Sequence, residues 1–178
     1  MVEPVKAAQL QIKRRAGSDA IRWLPPGEVG LILVALGEVS AATLVRLEPV
    51  VEQVASRHSA LELGLSGVGG SPSLTMPKTA WIGLQGSVDS LMSLWKDLYI
   101  CSKPLVSVTD DKPFEPVIEI GRLRTFDDRA RTEMGRSLKL AQVGDLGSFT
   151  VDTIHILSSE PGPTGPTLKS IIQCQLGT

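Results

Sequence analysis

The chain has 178 residues with a hydrophobic fraction of 42% and a charged fraction of 21%, which excludes a disordered chain and fits one domain or two small lobes. Lys plus Arg number 18 and Asp plus Glu 19, a formal net charge of −1, so a wholesale electrostatic grip on nucleic acid is not indicated, although a local basic patch is compatible. The 2 Cys and 2 His exclude a disulfide scaffold, and any metal site built only from Cys and His unless all four converge; no metal or cofactor is expected.

In chain order, residues 4–15 predict a short helix with Val5, Ala8 and Ile12 on one stripe, Pro4 in its first turn and Gly17 as its stop. The start lacks the apolar run of a signal peptide, and no stretch approaches the ~20 apolar residues that span a bilayer. A soluble, cytoplasmic chain without a membrane partner is expected. Residues 20–24 read as a short strand closed by Pro25-Pro26-Gly27. Residues 29–36 are a continuous apolar run ended by Gly37, the pattern of a buried strand. Ser40 is an N-cap, and Leu44, Leu47, Val51 and Val54 recur at helical spacing. Pro49 should bend that helix or mark its true start.

Residues 60–66 alternate Leu61, Leu63 and Leu65 with Glu62, Gly64 and Ser66, a half-buried strand. Residues 67–77 read as a flexible turn region and 79–84 as a strand. Ser87 caps a helix with Leu91, Leu94, Trp95 and Leu98 on one face. Residues 103–113 are irregular, with a turn at Asp110-Asp111. Residues 116–123 are a strand, 127–140 a helix capped at Asp127, 149–157 a strand, 158–166 a loop and 167–174 a last strand. Cys101 and Cys174 read as buried free thiols. Strand–helix–strand occurs twice, which predicts an α+β chain: two similar lobes, each a sheet with helices on one face, around a central cleft. Residues 1–178 are therefore read as one bilobal domain.

No phosphate loop and no Gly-x-Ser-x-Gly elbow occurs. The stretch Gly67-Val68-Gly69-Gly70-Ser71 leads to prolines rather than to a helix and reads as a loop. His58 lies at a helix end, where the dipole favours an imidazolium. His155, between Ile154 and Ile156, should point outward. Arg122, Arg124, Arg129, Arg131, Arg136 and Lys139 crowd one strand–helix unit, as a solvated face or a phosphate-facing patch.

Several strings together carry a resemblance. Ile21-Arg22-Trp23-Leu24-Pro25-Pro26, the apolar run ending Leu36-Gly37-Glu38-Val39, Leu61 to Gly69, Ala80-Trp81-Ile82-Gly83-Leu84, Phe114 to Arg122, and Phe149 to Ser159 with Gly162 to Thr167 resemble, in order and spacing, the 2′-5′ RNA ligase-like family. These are RNA 2′,3′-cyclic phosphodiesterases of the two-histidine phosphoesterase superfamily. The resemblance implies a bilobal fold with two antiparallel-rich sheets and helices on their outer faces. It also implies two His-x-Thr/Ser motifs facing each other, one imidazole acting as base and the other as acid on a cyclic phosphate. At the matching positions this chain reads Gly30-Leu31-Ile32 and Val117-Ile118-Glu119. Gly30, Ile32 and Val117 can neither move a proton nor donate to a phosphate oxygen. Glu119 can act as a base, but its charge repels an anionic phosphate unless its pKa is raised.

The leading expectation is a non-catalytic family member that binds RNA ends, a nucleotide or another small anion, with Arg122 and Trp23 as binding residues and Arg22 and Trp81 behind them. A divergent phosphodiesterase using Glu119, alone or with His155, is the second. A structural or protein-interaction module with an apolar, filled cleft is the third. The family opens with an apolar strand that this chain lacks, so an exposed sheet edge and a homodimer are expected.

Overall fold

A computed structural model of the chain describes residues 2–14, 21–106, 113–124, 127–141, 143–161 and 167–177. Among these, the elements are α1 (Val2–Lys13), β1 (Ile21–Trp23), α2 (Ala41–Ala55), β2 (Leu61–Ser71), β3 (Thr79–Gly86), α3 (Val88–Ser102), β4 (Val117–Leu123), α4 (Asp128–Leu140), β5 (Asp145–Val151), β6 (Thr153–Glu160) and β7 (Thr167–Gln175). The α+β class is as expected. The chain forms two compact units, one of residues 1–31, 63–86 and 116–149, the other of residues 32–62, 87–115 and 150–178. Each unit is assembled from three separated stretches. The two strand–helix–strand halves seen in the sequence therefore do not correspond to the two units.

The first unit is built on a five-stranded sheet in the order β1-β4-β3-β2-β5. The β1–β4, β4–β3 and β3–β2 pairs are antiparallel. Val5, Ala8 and Ile12 of α1 and Ala130, Met134 and Leu138 of α4 pack with Leu65, Ala80, Ile82, Ile118 and Ile120 in one buried cluster. Both helices thus cover the same face of the sheet. Burying each Leu or Ile side chain here contributes about 1.5–3 kcal/mol. Asp127 caps α4, its carboxylate accepting from the Ala130 N–H at 2.7 Å.

Two bulges interrupt the ladders. On β4, Gly121 faces Ala80 and Glu119 faces Trp81, so Ile120 is an extra residue. On β2, Ser66 faces Gly83 and Val68 faces Ile82, so Gly67 is extra, and its φ is 67°. A left-handed glycine is what this kind of bulge uses. The Ile120 carbonyl at the first bulge accepts from the Leu24 N–H at 3.1 Å and from the buried Gln9 amide at 3.0 Å. The same Gln9 amide donates to the Leu24 carbonyl at 2.7 Å.

The second unit carries α2, α3 and the two-stranded sheet β6-β7. Leu47, Val51, Val54 and Ala55 of α2 are buried, as are Leu91, Leu94 and Leu98 of α3. Ser40 caps α2 as expected, accepting from the Thr43 N–H at 3.1 Å. The helix runs from Ala41 through Pro49 to Ala55, so Pro49 does not mark its start. Ser87 stands at the N-cap position of α3 but its side chain makes no capping bond. On α3, Trp95 stacks on Phe114 with ring centroids 5.3 Å apart.

Three further expectations are corrected. Residues 29–37 form no strand, and Ile32 is 69% exposed. Their apolar, β-branched pattern is present, but a strand also needs a hydrogen-bonded neighbour. Residues 67–71 are not a loop but the second half of β2. The strand expected over 149–157 is two strands, β5 and β6, parted at Asp152. The turn expected at Asp110-Asp111 lies outside the described residues, as does most of the 158–166 loop.

Cys174 is buried and Cys101 half-buried, both free. Burial pushes the Cys174 thiol above its ordinary value, helped by the charges of Glu52 and Glu48. Iodoacetamide should therefore label Cys101 of the folded protein well ahead of Cys174, with Cys174 reacting once urea unfolds the chain; peptide mass spectrometry reads the order. Replacing Gln9 with Met removes the amide donor at similar volume and should cost about 1–3 kcal/mol in urea unfolding, because the Leu24 and Ile120 carbonyls each lose a hydrogen bond.

Candidate functional site

The face of the five-stranded sheet opposite α1 and α4 holds the polar residues. Paired residues of adjacent antiparallel strands point the same way, with Cβ atoms about 4.5–5.5 Å apart. Trp81 of β3 pairs with Glu119 of β4, Thr79 with Arg122, and Arg122 with Arg22 of β1. Strict alternation would put Glu119 and Arg122 on opposite faces, since three positions separate them. The extra residue at Ile120 corrects the parity, and the two side chains meet in a two-pronged ion pair. Arg122 Nε donates to Glu119 Oε1. Its Nη2 donates to Oε2 at 3.1 Å. Glu119 holds the Arg122 guanidinium above its ordinary value, against the partial burial that lowers it.

Trp81 is fixed by two features. Its indole N–H donates to the Ser71 hydroxyl at 3.1 Å. Its ring lies on Gly69, where an added Cβ would come within 2.2 Å of Cη2 and of Cζ2 and 2.8 Å of Cε2. Near-equal short distances to two bonded ring atoms, with the next atom little further, describe a point above the ring face rather than beyond its edge. The indole therefore lies flat across β2. The bulge at Gly67 makes this possible, because it turns Gly69 to the Trp81 side of the sheet.

The sequence-predicted residues divide accordingly. Arg122 and Glu119 come together, with Arg22 and Trp81 in register beside them. Val117, half-buried at the start of β4, pairs with Gly83 on the same face. Gly30 is exposed with open space around it, and Ile32 is exposed in the second unit. Trp23 is not part of the group. It pairs with Gly121 and packs against the core side, with Lys13 Nζ 5.2 Å from its ring centroid. Trp81 and Thr79 are the residues undervalued by the sequence. The signal for Trp81 was the glycine pair Gly69 and Gly83 at positions that a large ring can cover.

Both histidines are outside this face and in the second unit. His58 Nε2 is 2.9 Å from Asp97 Oδ2, joining the end of α2 to α3. His155 is exposed on β6, as expected, and its Nδ1 is 2.9 Å from the Ser170 hydroxyl. On α4, the exposed Arg129 pairs with Glu133 at 3.2 Å, and the half-buried Arg131 with Asp128 at 3.7 Å. Among the described residues no helix is long and apolar enough to cross a membrane.

With this geometry the fold class is defined: mixed helix and antiparallel sheet of the LigT-like kind. E. coli LigT, solved with 3′-AMP, superposes with a TM-score of 0.76 at 18% identity, over 100% of this chain and 94% of LigT. TT0787 of Thermus thermophilus gives 0.74 at 19% identity, over 98% of this chain and 91% of TT0787. Among curated proteins, an Aquifex aeolicus RNA 2′,3′-cyclic phosphodiesterase is 22% identical over 157 residues, 88% of this chain and 82% of the relative. One from Archaeoglobus fulgidus is 24% identical over 160 residues, 90% of this chain and 86% of the relative. No protein-family model matches the chain. In sequence the chain is thus similar to RNA 2′,3′-cyclic phosphodiesterases, and its fold is that of LigT.

Adding a methyl group at Gly69 tests the seat of Trp81. Gly69→Ala should displace the indole, shift tryptophan emission and cost about 1–3 kcal/mol by overpacking. Unchanged emission and stability would show that the ring does not depend on the glycine.

Proposed function

We propose that this protein is a non-hydrolysing member of the RNA 2′,3′-cyclic phosphodiesterase, or 2′-5′ RNA ligase-like, family that binds a nucleotide, or the end of an RNA strand, on the Trp81 face of the five-stranded sheet. One observation carries the reading. Of the two histidines in 178 residues, neither is followed two positions later by Ser or Thr, and both have other partners, Asp97 and Ser170. A cyclic phosphodiester is opened by one group that removes a proton and another that returns it, each worth about 10²–10⁴-fold. Gly30, Ile32 and Val117 supply neither.

The binding half of the reading rests on the groups that remain. The sheet face carries an aromatic ring, two arginines in register and a threonine, a set suited to a base and its phosphate. The structural relative LigT has been solved with 3′-AMP, with ATP, with NADP+ and with phosphate. Glu119 as a general base is the weaker reading. Its carboxylate already accepts two bonds from Arg122, so both oxygens are engaged within the sheet face.

The test sets hydrolysis beside binding. Cytidine 2′,3′-cyclic monophosphate should be turned over at no more than ~10⁻⁴ of the rate of an intact two-histidine relative, while calorimetry with the same protein detects nucleotide binding. Turnover near the relative's rate, abolished by Glu119→Gln, would establish the divergent enzyme instead. Neither turnover nor binding would leave the interaction-module reading.

A further inference from the structure

We infer that the exposed flank of α4 is a track for the backbone of an RNA strand whose end is held on the Trp81 face. This rests on the nucleotide-binding reading above and adds a surface that only a longer strand engages.

The flank is one stripe of the helix. Arg129, Thr132, Arg136 and Lys139 follow one another at steps of three, four and three residues, the spacing of side chains that stand one above the other on a single face. At about 1.5 Å per residue the stripe is ~15 Å long. All four residues are exposed. An open concavity of about 420 Å³ lies on it, lined by Asp128, Arg129, Thr132, Glu133 and Arg136.

Charge is segregated along α4. The helix carries four bases against two acids, in a chain whose formal net charge is −1. Both acids lie in its first half and both are answered, Glu133 by Arg129 at 3.2 Å and Asp128 by Arg131 at 3.7 Å. After Glu133 the helix has no acid, and among the described residues neither Arg136 nor Lys139 has an ion-pair or hydrogen-bond partner. The Thr132 hydroxyl donates to the Asp128 carbonyl at 2.7 Å, so the cations give the flank its chemistry. Lys139, in the last turn, also answers the helix dipole. Arg136 stands before the last turn, where the dipole no longer accounts for it.

Exposed bases of one sign in a row suit a polyanion. A phosphodiester chain matches them in length as well as in sign. Successive phosphates of a stacked strand advance by ~3.4 Å, so several fall along the stripe. An anionic membrane is the poorer match. Among the described residues of α4 only Leu140 is a large exposed apolar side chain, and a helix that enters a membrane interface needs an apolar face. The track also begins beside the site. Only residues 124–127 part the end of β4 from α4, so the helix starts at the end of the sheet where Arg122 and Arg22 stand in register. A strand whose end lies on the Trp81 face can turn around that end of the sheet and run along α4.

Binding of adenosine 3′-monophosphate is compared with that of an oligoadenylate of about 12 nucleotides on the whole protein, by calorimetry and by fluorescence anisotropy across a salt series. The oligonucleotide should bind more tightly and with a steeper dependence on salt. Arg136→Glu combined with Lys139→Glu should weaken it at least about tenfold at ~50 mM salt, and should flatten the slope of log K against log salt by about 1.4, or ~0.7 for each lost phosphate contact. The same variant should bind the mononucleotide as the wild type does, which also shows that it is folded. An oligonucleotide bound no more tightly than the mononucleotide, or bound by the double variant with wild-type affinity and slope, would overturn the track and leave the proposed function standing. A double variant that loses binding to phosphatidylserine vesicles but not to the oligonucleotide would overturn it in favour of a lipid surface. Failure of the wild type to bind either ligand would overturn the track and the proposed function together.

Discussion

The carbonyl of Ile120 accepts two hydrogen bonds, from the Leu24 backbone and from the Gln9 side chain, and the site depends on that small network. Ile120 is the extra residue of β4. Without it the strand would alternate regularly, and Glu119 and Arg122 would leave the sheet on opposite faces. A bulge normally leaves a residue outside the ladder, with backbone groups that need other partners. Here α1 provides one through a buried glutamine that looks, by residue type alone, out of place on an apolar stripe. Helix packing and the placement of two charged side chains on the far face of the sheet are therefore one structural fact. The core pays for the site.

The second bulge has the corresponding effect on β2. Gly67 adopts a left-handed φ and shifts the parity of the residues after it, so that Gly69 turns to Trp81 while Gly70 turns to the core against Pro77 and Leu138. The three glycines in Gly67 to Ser71 are thus strand glycines with separate duties. One makes the bulge, one is covered by an indole and one admits close packing from α4. Their density resembles loop composition, and composition cannot distinguish a loop from a strand whose neighbours are large.

The readable parts of the sequence were those in which a residue answers to its near neighbours. The stripe Val5, Ala8, Ile12, the caps at Ser40 and Asp127, and the Leu91, Leu94, Leu98 face all follow from helical spacing and capping chemistry, and all are found. The alternation of Leu61, Leu63 and Leu65 placed the start of β2. The features that failed were decided at long range. Residues 29–36 have every local property of a buried strand but no ladder partner. Trp23 and Arg22 are adjacent in sequence, yet β1 sends them to opposite faces, and only the pairing with β4 shows which one meets Arg122. The Glu119–Arg122 pair could not be found by period-two counting, because it exists only through the bulge.

A LigT-like fold is compatible with side chains of this chain's own on the far sheet face because fold and chemistry draw on different residues. The sheet and its two covering helices are held by Leu65, Ile82, Ile118, Ile120, Met134 and Leu138, none of which touches the opposite face. That face can therefore exchange its chemistry without loss of the scaffold. On that face this chain sets the carboxylate of Glu119 against the guanidinium of Arg122. A donor suits phosphate oxygens, whereas an acceptor suits the N–H groups of a base. Arg122 bonds both oxygens of that carboxylate, so neither side chain is free to turn away from the other.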